Sequence, residues 1–220
     1  MNFTFLLQTS LFKGCTLSDL QAMLACLSAT EKTYIKGETI LKSGYSTEVM
    51  GIMEDGSAIL ETIDFWGHKN ILNSIESGMV FAETYACLSG EKLMVNVIAN
   101  SNCTVLFLNL SKLSRLCSNN CSFHNRLISN LLEITARKNL YLTRKIFHTN
   151  GKTIREKLLS YFSFQAQKEG CVKFEIPFDR QQLADYLGVD RSAMSAQLSL
   201  MQKEGLISFK KNQFIILVKE

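Results

Sequence analysis

Residues 176–207 of this 220-residue chain carry two short helical periods separated by a glycine, and few folds accept that arrangement. Asp179 can cap a first helix, with Leu183, Ala184 and Leu187 at helical spacing behind it. Gly188 supplies a left-handed turn residue that stops this helix. Asp190 can cap a second helix whose apolar positions are Met194, Leu198 and Met201. Ala184 is small where the two helices would cross closely, and Gly205 ends the second one. A hairpin follows: Leu206-Ile-Ser-Phe, a turn at Lys210-Lys-Asn-Gln, then Phe214-Ile-Ile-Leu-Val. A tight turn, a small crossing residue and a trailing hairpin together predict a winged helix-turn-helix, not an ordinary helical hairpin inside a core.

The rest of the chain is long enough for a second core. Hydrophobic residues make up 46%, which excludes a disordered chain. No apolar run approaches the roughly 20 residues of a bilayer span. The start, Met1-Asn-Phe-Thr-Phe-Leu-Leu, has neither the basic segment nor the apolar stretch of a signal peptide. The seven cysteines (15, 26, 87, 103, 117, 121 and 171) are scattered and odd in number, so they form no disulfide framework and point to a reducing cytoplasm. Charge is divided unevenly. Residues 1–121 hold eight Lys/Arg against eleven Asp/Glu, a net of −3, while residues 122–220 hold sixteen against nine, a net of +7. The basic half contains the helix-turn-helix, which fits phosphate binding there and a different partner at the acidic end.

Leu17, Leu20, Met23, Leu24 and Leu27 predict a helix over residues 10–29, capped by Thr16 or Ser18. From Thr33 to Leu110 short β-like runs alternate with glycines, and Gly37, Gly44, Gly56 and Gly78 sit where tight turns would close an antiparallel barrel or jelly roll. Residues 111–117 read as a short helix, and Phe123 to about Phe147 as one long helix without Gly or Pro. Its apolar positions are too many for one solitary surface helix: one face can pack on the barrel while another, near Leu127, Leu131, Ile134 and Tyr141, meets a second copy. Asn150-Gly151 breaks the chain as a hinge, residues 152–168 form a further helix, and Lys173-Phe-Glu-Ile is a short strand. The expected class is α+β. It comprises an antiparallel β-roll sensor of jelly-roll type over 1–121, a dimerisation helix over 122–149, and a winged helix-turn-helix over 150–220.

This order of parts resembles the Crp/Fnr family of bacterial transcription regulators over nearly the whole chain. Leu11-Phe-Lys-Gly and Leu17-Ser-Asp-Leu are similar to the family's opening, and Tyr34-Ile-Lys-Gly-Glu-Thr-Ile and Ile52-Met-Glu-Asp-Gly-Ser to its first roll strands. Asp179-Arg-Gln-Gln-Leu-Ala-Asp-Tyr-Leu-Gly-Val-Asp-Arg-Ser is similar to its DNA-reading motif. The resemblance implies a homodimer on a double-stranded DNA operator of roughly palindromic sequence, contact with RNA polymerase, and a small-molecule effector sensed by the roll. It implies no membrane partner.

In that light Arg191 stands at the groove-entering start of the second helix, where an arginine takes guanine O6 and N7 together. Ser192, Ser195 and Gln197 could add base or phosphate contacts. Arg180 and Gln181 resemble backbone clamps, and Lys210 and Lys211 would meet phosphates from the wing. Ser192 and Ala196 stand where the family often has a Glu and a second Arg, so the preferred operator differs or its readout is thinner.

The sensor departs further. Cyclic-nucleotide binders of the family carry Gly-Glu and, about ten residues on, Arg followed by Ser or Thr, which together hold the cyclic phosphate and ribose. The corresponding stretch here runs from Gly78 to Val95. Glu83 matches and Thr84 follows it; Ala82 replaces the glycine, and Leu93 and Met94 replace the anchor. Burying a phosphate against Leu and Met without a counter-charge is unfavourable, so no cyclic nucleotide is expected. Cys117, Cys121 and His124 could hold a metal or act as a thiol switch, although small partly buried cysteines are the simpler expectation, and isolated His68 and His148 suggest no haem. No cofactor or metal is therefore expected. A cysteine-nucleophile enzyme is disfavoured, because no Cys–His–acid grouping is visible in the sequence. A cyclic-nucleotide-responsive or thiol- or metal-sensing regulator of the same fold, and a ligand-independent architectural binder, remain as alternatives.

Overall fold

The computed structural model describes residues 1–63, 66, 69–88, 90–114 and 122–217. The chain divides into two compact units, Met1–Ala136 and Arg137–Glu220. His68, Cys117 and Cys121, and with them the Cys-x3-Cys-x2-His run, lie outside the described residues, as does the end of the helix expected over 111–117.

The first unit opens with α1 (Phe3–Gln8), a 3-10 turn at Ser10–Phe12 and α2 (Leu17–Cys26). The helix expected over 10–29 is thus broken. Gly14 takes φ +77, and α2 starts only after Thr16, whose hydroxyl accepts from the Asp19 amide while the Asp19 carboxylate accepts from Thr16 N–H. The roll strands follow: β1 (Thr30–Tyr34), β2 (Thr39–Leu41), β3 (Val49–Asp55), β4 (Ser57–Ile63), β5 (Lys69–Glu76) and β6 (Val80–Phe81). After α3 (Glu83–Cys87) come β7 (Asn96–Ala99), β8 (Cys103–Asn109) and α4 (Ser111–Ser114). They pair antiparallel into two four-stranded sheets, ordered β1-β8-β3-β6 and β2-β7-β4-β5. Gly37, Gly44, Gly56 and Gly78 all take positive φ, the turn geometry that their placement predicts.

The central strands of the first sheet, β3 and β8, are buried on both faces, which explains their near-continuous apolar runs, whereas the edge strand β1 is largely exposed. Along β8, Cys103, Val105 and Phe107 face the second sheet with Met53, Val97 and Ala99. Leu106 and Leu108 face the other way, onto Leu6, Phe12, Leu20 and Met23 of the N-terminal helices. The period of two is that of a pleated strand. Gly51 is set by close approach: a Cβ there would lie 2.2 Å from the Phe81 ring.

α5 (Ser122–Thr149) contributes to both units. Here one sequence expectation is corrected. Leu127 and Leu131 are buried in the core beneath the first roll sheet, and Ile134 packs against the same cluster, so these residues do not face a partner. Tyr141 stands edge-on to Tyr186, with ring centroids 6.1 Å apart. Leu127, Leu131 and Ile134 of the face that periodicity picks out thus lie against the chain's own core, while Tyr141 stays 49% exposed.

The second unit continues with α6 (Ile154–Glu169), β9 (Lys173–Glu175), α7 (Arg180–Leu187), α8 (Arg191–Lys203), β10 (Ile207–Lys210) and β11 (Gln213–Ile216). The three strands form a small sheet in the order β10-β11-β9. Leu158, Phe162, Phe174, Leu183, Met194 and Phe214 are among its buried core residues.

Candidate nucleic-acid interface

Local chemistry dictates the angle at the centre of the second unit. Asp179 caps α7, its carboxylate accepting from the Gln182 amide at 2.8 Å while the Gln182 side chain accepts from Asp179 N–H at 2.9 Å. Gly188 closes the helix at φ +62, and the Lys157 ammonium donates to the Leu187 carbonyl at 3.2 Å. Asp190 then caps α8, accepting from the Ala193 amide at 2.7 Å. Ala184 is fully buried, as close packing of the two helices requires.

α8 buries Met194, Leu198 and Met201 and exposes the opposite side. Arg191 and Ser192 are exposed at its N-terminal end. Ala196, Ser199 and Lys203 continue the exposed row from Ser192 at intervals of four, three and four. Ser199 and Lys203 were not singled out from the sequence, although their helical spacing from Ser192 marks them. The Ser195 hydroxyl donates to the Arg191 carbonyl at 2.9 Å and that of Ser199 to the Ser195 carbonyl at 3.0 Å. Gln197 is half-buried, and its side-chain amide nitrogen is buried without a hydrogen-bond partner.

Two more expected contacts are engaged within the protein. The Gln181 amide donates to Asp185 one turn on, at 2.8 Å. The Arg180 guanidinium is half-buried, lies over the rings of Phe209 and Phe214, and donates to the Lys211 carbonyl at 2.9 Å. Burial draws its pKa below the ordinary arginine value. Lys210 and Lys211 are exposed at the wing turn, beside an open cleft of about 500 Å³ lined by Pro177, Phe178, Asp179 and Asn212.

At the base of the unit, His148 is almost wholly buried near the end of α5. Its ring meets Tyr161 at 5.4 Å and Phe164 at 5.1 Å, and its Nδ1 lies 3.3 Å from the Ser160 hydroxyl. Burial, with Arg144 nearby, lowers the imidazole pKa, and burial pushes the Tyr161 phenol up to about 12.

The expected effector residues differ in exposure. Glu83 is buried at the start of α3 and Leu93 is buried, but Thr84 is exposed and Met94 is 77% exposed. Ala82, in place of glycine, takes φ +59, so a left-handed bend is kept there at a strain of about 1 kcal/mol. Burial raises the thiol pKa of Cys15, Cys87 and Cys103, which makes each a poor thiolate at neutral pH. Among the described residues, no three His, Cys, Asp or Glu side chains are grouped to hold a metal ion, and no helix is long and apolar enough to cross a membrane.

Comparison with known proteins agrees with this division. Residues 31–120 match the cyclic nucleotide-binding domain, and residues 156–220 match the Crp-like helix-turn-helix domain. The transcriptional activator protein FnrL of Cereibacter sphaeroides is 30% identical over 74 residues; the match spans 30% of this chain and 30% of FnrL. Among solved structures, CprK complexed with OCPA superposes with a TM-score of 0.62 at 16% identity, covering 90% of this chain and 88% of CprK. The c-di-GMP-responsive global regulator CLP of Xanthomonas campestris gives 0.56 at 14% identity, covering 93% and 100%. With a cyclic-nucleotide-binding-type roll preceding a Crp-like helix-turn-helix domain, the chain is similar in both of its parts to the Crp/Fnr transcription regulators.

Proposed function

We propose that this protein is a homodimeric, sequence-specific DNA-binding transcription regulator that acts in the cytoplasm on a two-half-site operator. The observation that carries this reading is the exposed row of α8, begun by Arg191 and Ser192, beside a wing whose turn bears Lys210 and Lys211. A helix of this kind presents its N-terminal side chains to base edges in the major groove, and wing cations meet phosphates. Lys203 extends the same row with a further positive charge.

The dimer face is reassigned. Ile128, Leu132, Thr135, Asn139, Leu142 and Ile146 follow one another along α5 at alternating intervals of four and three, the spacing of a two-helix seam. Leu132 is 68% exposed and Ile146 67% in the single chain, so this stripe has apolar surface to cover. Asn139 falls within it, and a polar residue at such a position favours two strands in one alignment.

The roll serves as a sensor without a cyclic-nucleotide anchor. Leu93 offers a phosphate only apolar surface, and Met94 points to solvent. The effector, where one acts, is more apolar than a nucleotide or binds outside the roll; contact with RNA polymerase completes the regulatory role. The test is selection from a randomised duplex pool followed by calorimetry with cyclic AMP and cyclic GMP. A two-fold symmetric selected site and no heat with either nucleotide are expected. Selection of unrelated sequences would remove the specificity claim, and micromolar nucleotide binding would restore the nucleotide-responsive alternative.

A further inference from the structure

Arg180 opens α7 at a point where a cation could reach a DNA phosphate, yet its guanidinium is committed elsewhere. It lies 4.9 Å from the ring centroid of Phe209 and 5.1 Å from that of Phe214. Those residues pair across the wing, Phe209 on β10 with Phe214 on β11, their rings 5.6 Å apart. From that position the Nη2 of Arg180 donates to the Lys211 carbonyl at 2.9 Å. Only a planar cation can lie over two rings and still aim an in-plane donor at a carbonyl; an ammonium cannot do both.

The carbonyl that it holds belongs to a strained residue. Lys211 and Asn212 form the two-residue turn, and Lys211 takes φ +55, a conformation that favours glycine. Asn212 is secured separately. Its carbonyl accepts from the Ile176 amide at 3.0 Å, and its side chain donates to Glu175 at 2.7 Å. The turn therefore has two anchors, one on the β9 strand and one on the first helix of the helix-turn-helix.

We propose that Arg180 is a positioning residue that fixes the wing turn to α7, so that Lys210 and Lys211 meet DNA phosphates, and that it makes no phosphate contact itself. The proposal rests on the DNA-binding reading above. It separates Arg180 from a simple backbone clamp, because charge alone cannot replace it.

The experiment titrates a mixed-sequence DNA duplex with the full chain across a salt series, using Arg180→Lys, the Lys210→Ala/Lys211→Ala pair and all three changes together. Arg180→Lys should lose affinity and flatten the logarithmic salt slope by up to about one unit for each wing lysine disengaged, although the charge is retained. Added to the wing pair, it should cause no further loss. Without DNA, Arg180→Lys should speed hydrogen exchange of the Lys211–Gln213 amides by about tenfold or more. Parental affinity in Arg180→Lys, losses that multiply in the triple variant, or unchanged exchange would each overturn the inference. Failure of the unaltered chain to bind the duplex would overturn the DNA reading and the inference together; multiplying losses in a chain that binds would overturn the inference alone.

Discussion

Lys211 combines a left-handed backbone with a side chain proposed to meet phosphate, and the two roles can be separated. Glycine adopts φ +55 without the penalty of roughly 1–2 kcal/mol that an L side chain meets there. Lys211→Gly should therefore leave folding stability unchanged or raise it by up to about 1 kcal/mol in urea denaturation, while weakening binding to all DNA sequences alike. Arg191 is expected to behave in the opposite way. Exposed at the capped start of α8, it is placed for a bidentate contact with guanine worth about 1–3 kcal/mol of discrimination. Arg191→Ala should lose that amount on the selected operator and relax preference at one position in each half-site. A uniform loss across operator variants would instead move the base-reading role to Ser192. For single residues the sequence was an uneven guide. Asp179, Gly188 and Asp190 declare themselves because capping and left-handed turns depend on immediate neighbours. Arg180 does not, because what occupies it is tertiary: two rings about 30 positions further on.

Elements differ in how much of their surroundings they reveal. The roll strands and their turn glycines are legible because alternation and positive φ are local. β6 and α3 were missed, since two strand residues and a five-residue helix leave no period to detect. α5 shows the limit most clearly. Its length and apolar excess can be read from the sequence, but periodicity cannot say which apolar face meets the chain's own core and which is left for a partner. The proposed seam makes a sharp prediction. Leu132→Glu with Ile146→Glu should give monomers in light scattering at micromolar concentration and reduce operator binding, with little change in protomer stability, because both positions are exposed. Leu131→Ala, by contrast, removes a buried core side chain and should destabilise the roll by about 2–5 kcal/mol. The C-terminal end of the same helix gives a pH dependence. The His148 pKa is lowered in the folded chain, so the unfolded chain takes up a proton first as pH falls below 6.5. Stability should be greatest above that value and decline below it until the lower folded pKa is reached. Urea midpoints at about pH 7.5 and about pH 5.5 should differ less for His148→Phe than for the parent.

Over the whole molecule, the compact units part between Ala136 and Arg137, inside a continuous helix and not at Asn150-Gly151, where the sequence breaks. Tyr141 and His148 precede the glycine, yet their rings lie against Tyr186 and Tyr161 of the second unit. A fragment beginning at 150 loses these aromatic contacts, worth about 0.5–1.5 kcal/mol each; one beginning at 137 keeps them. Thermal melts by circular dichroism should show the longer fragment to be the more stable. For anyone building hybrid regulators, this moves the splice point. A reading head cut at the obvious glycine would leave behind part of its own foundation, whereas one taken from residue 137 would carry its support to any sensor joined upstream.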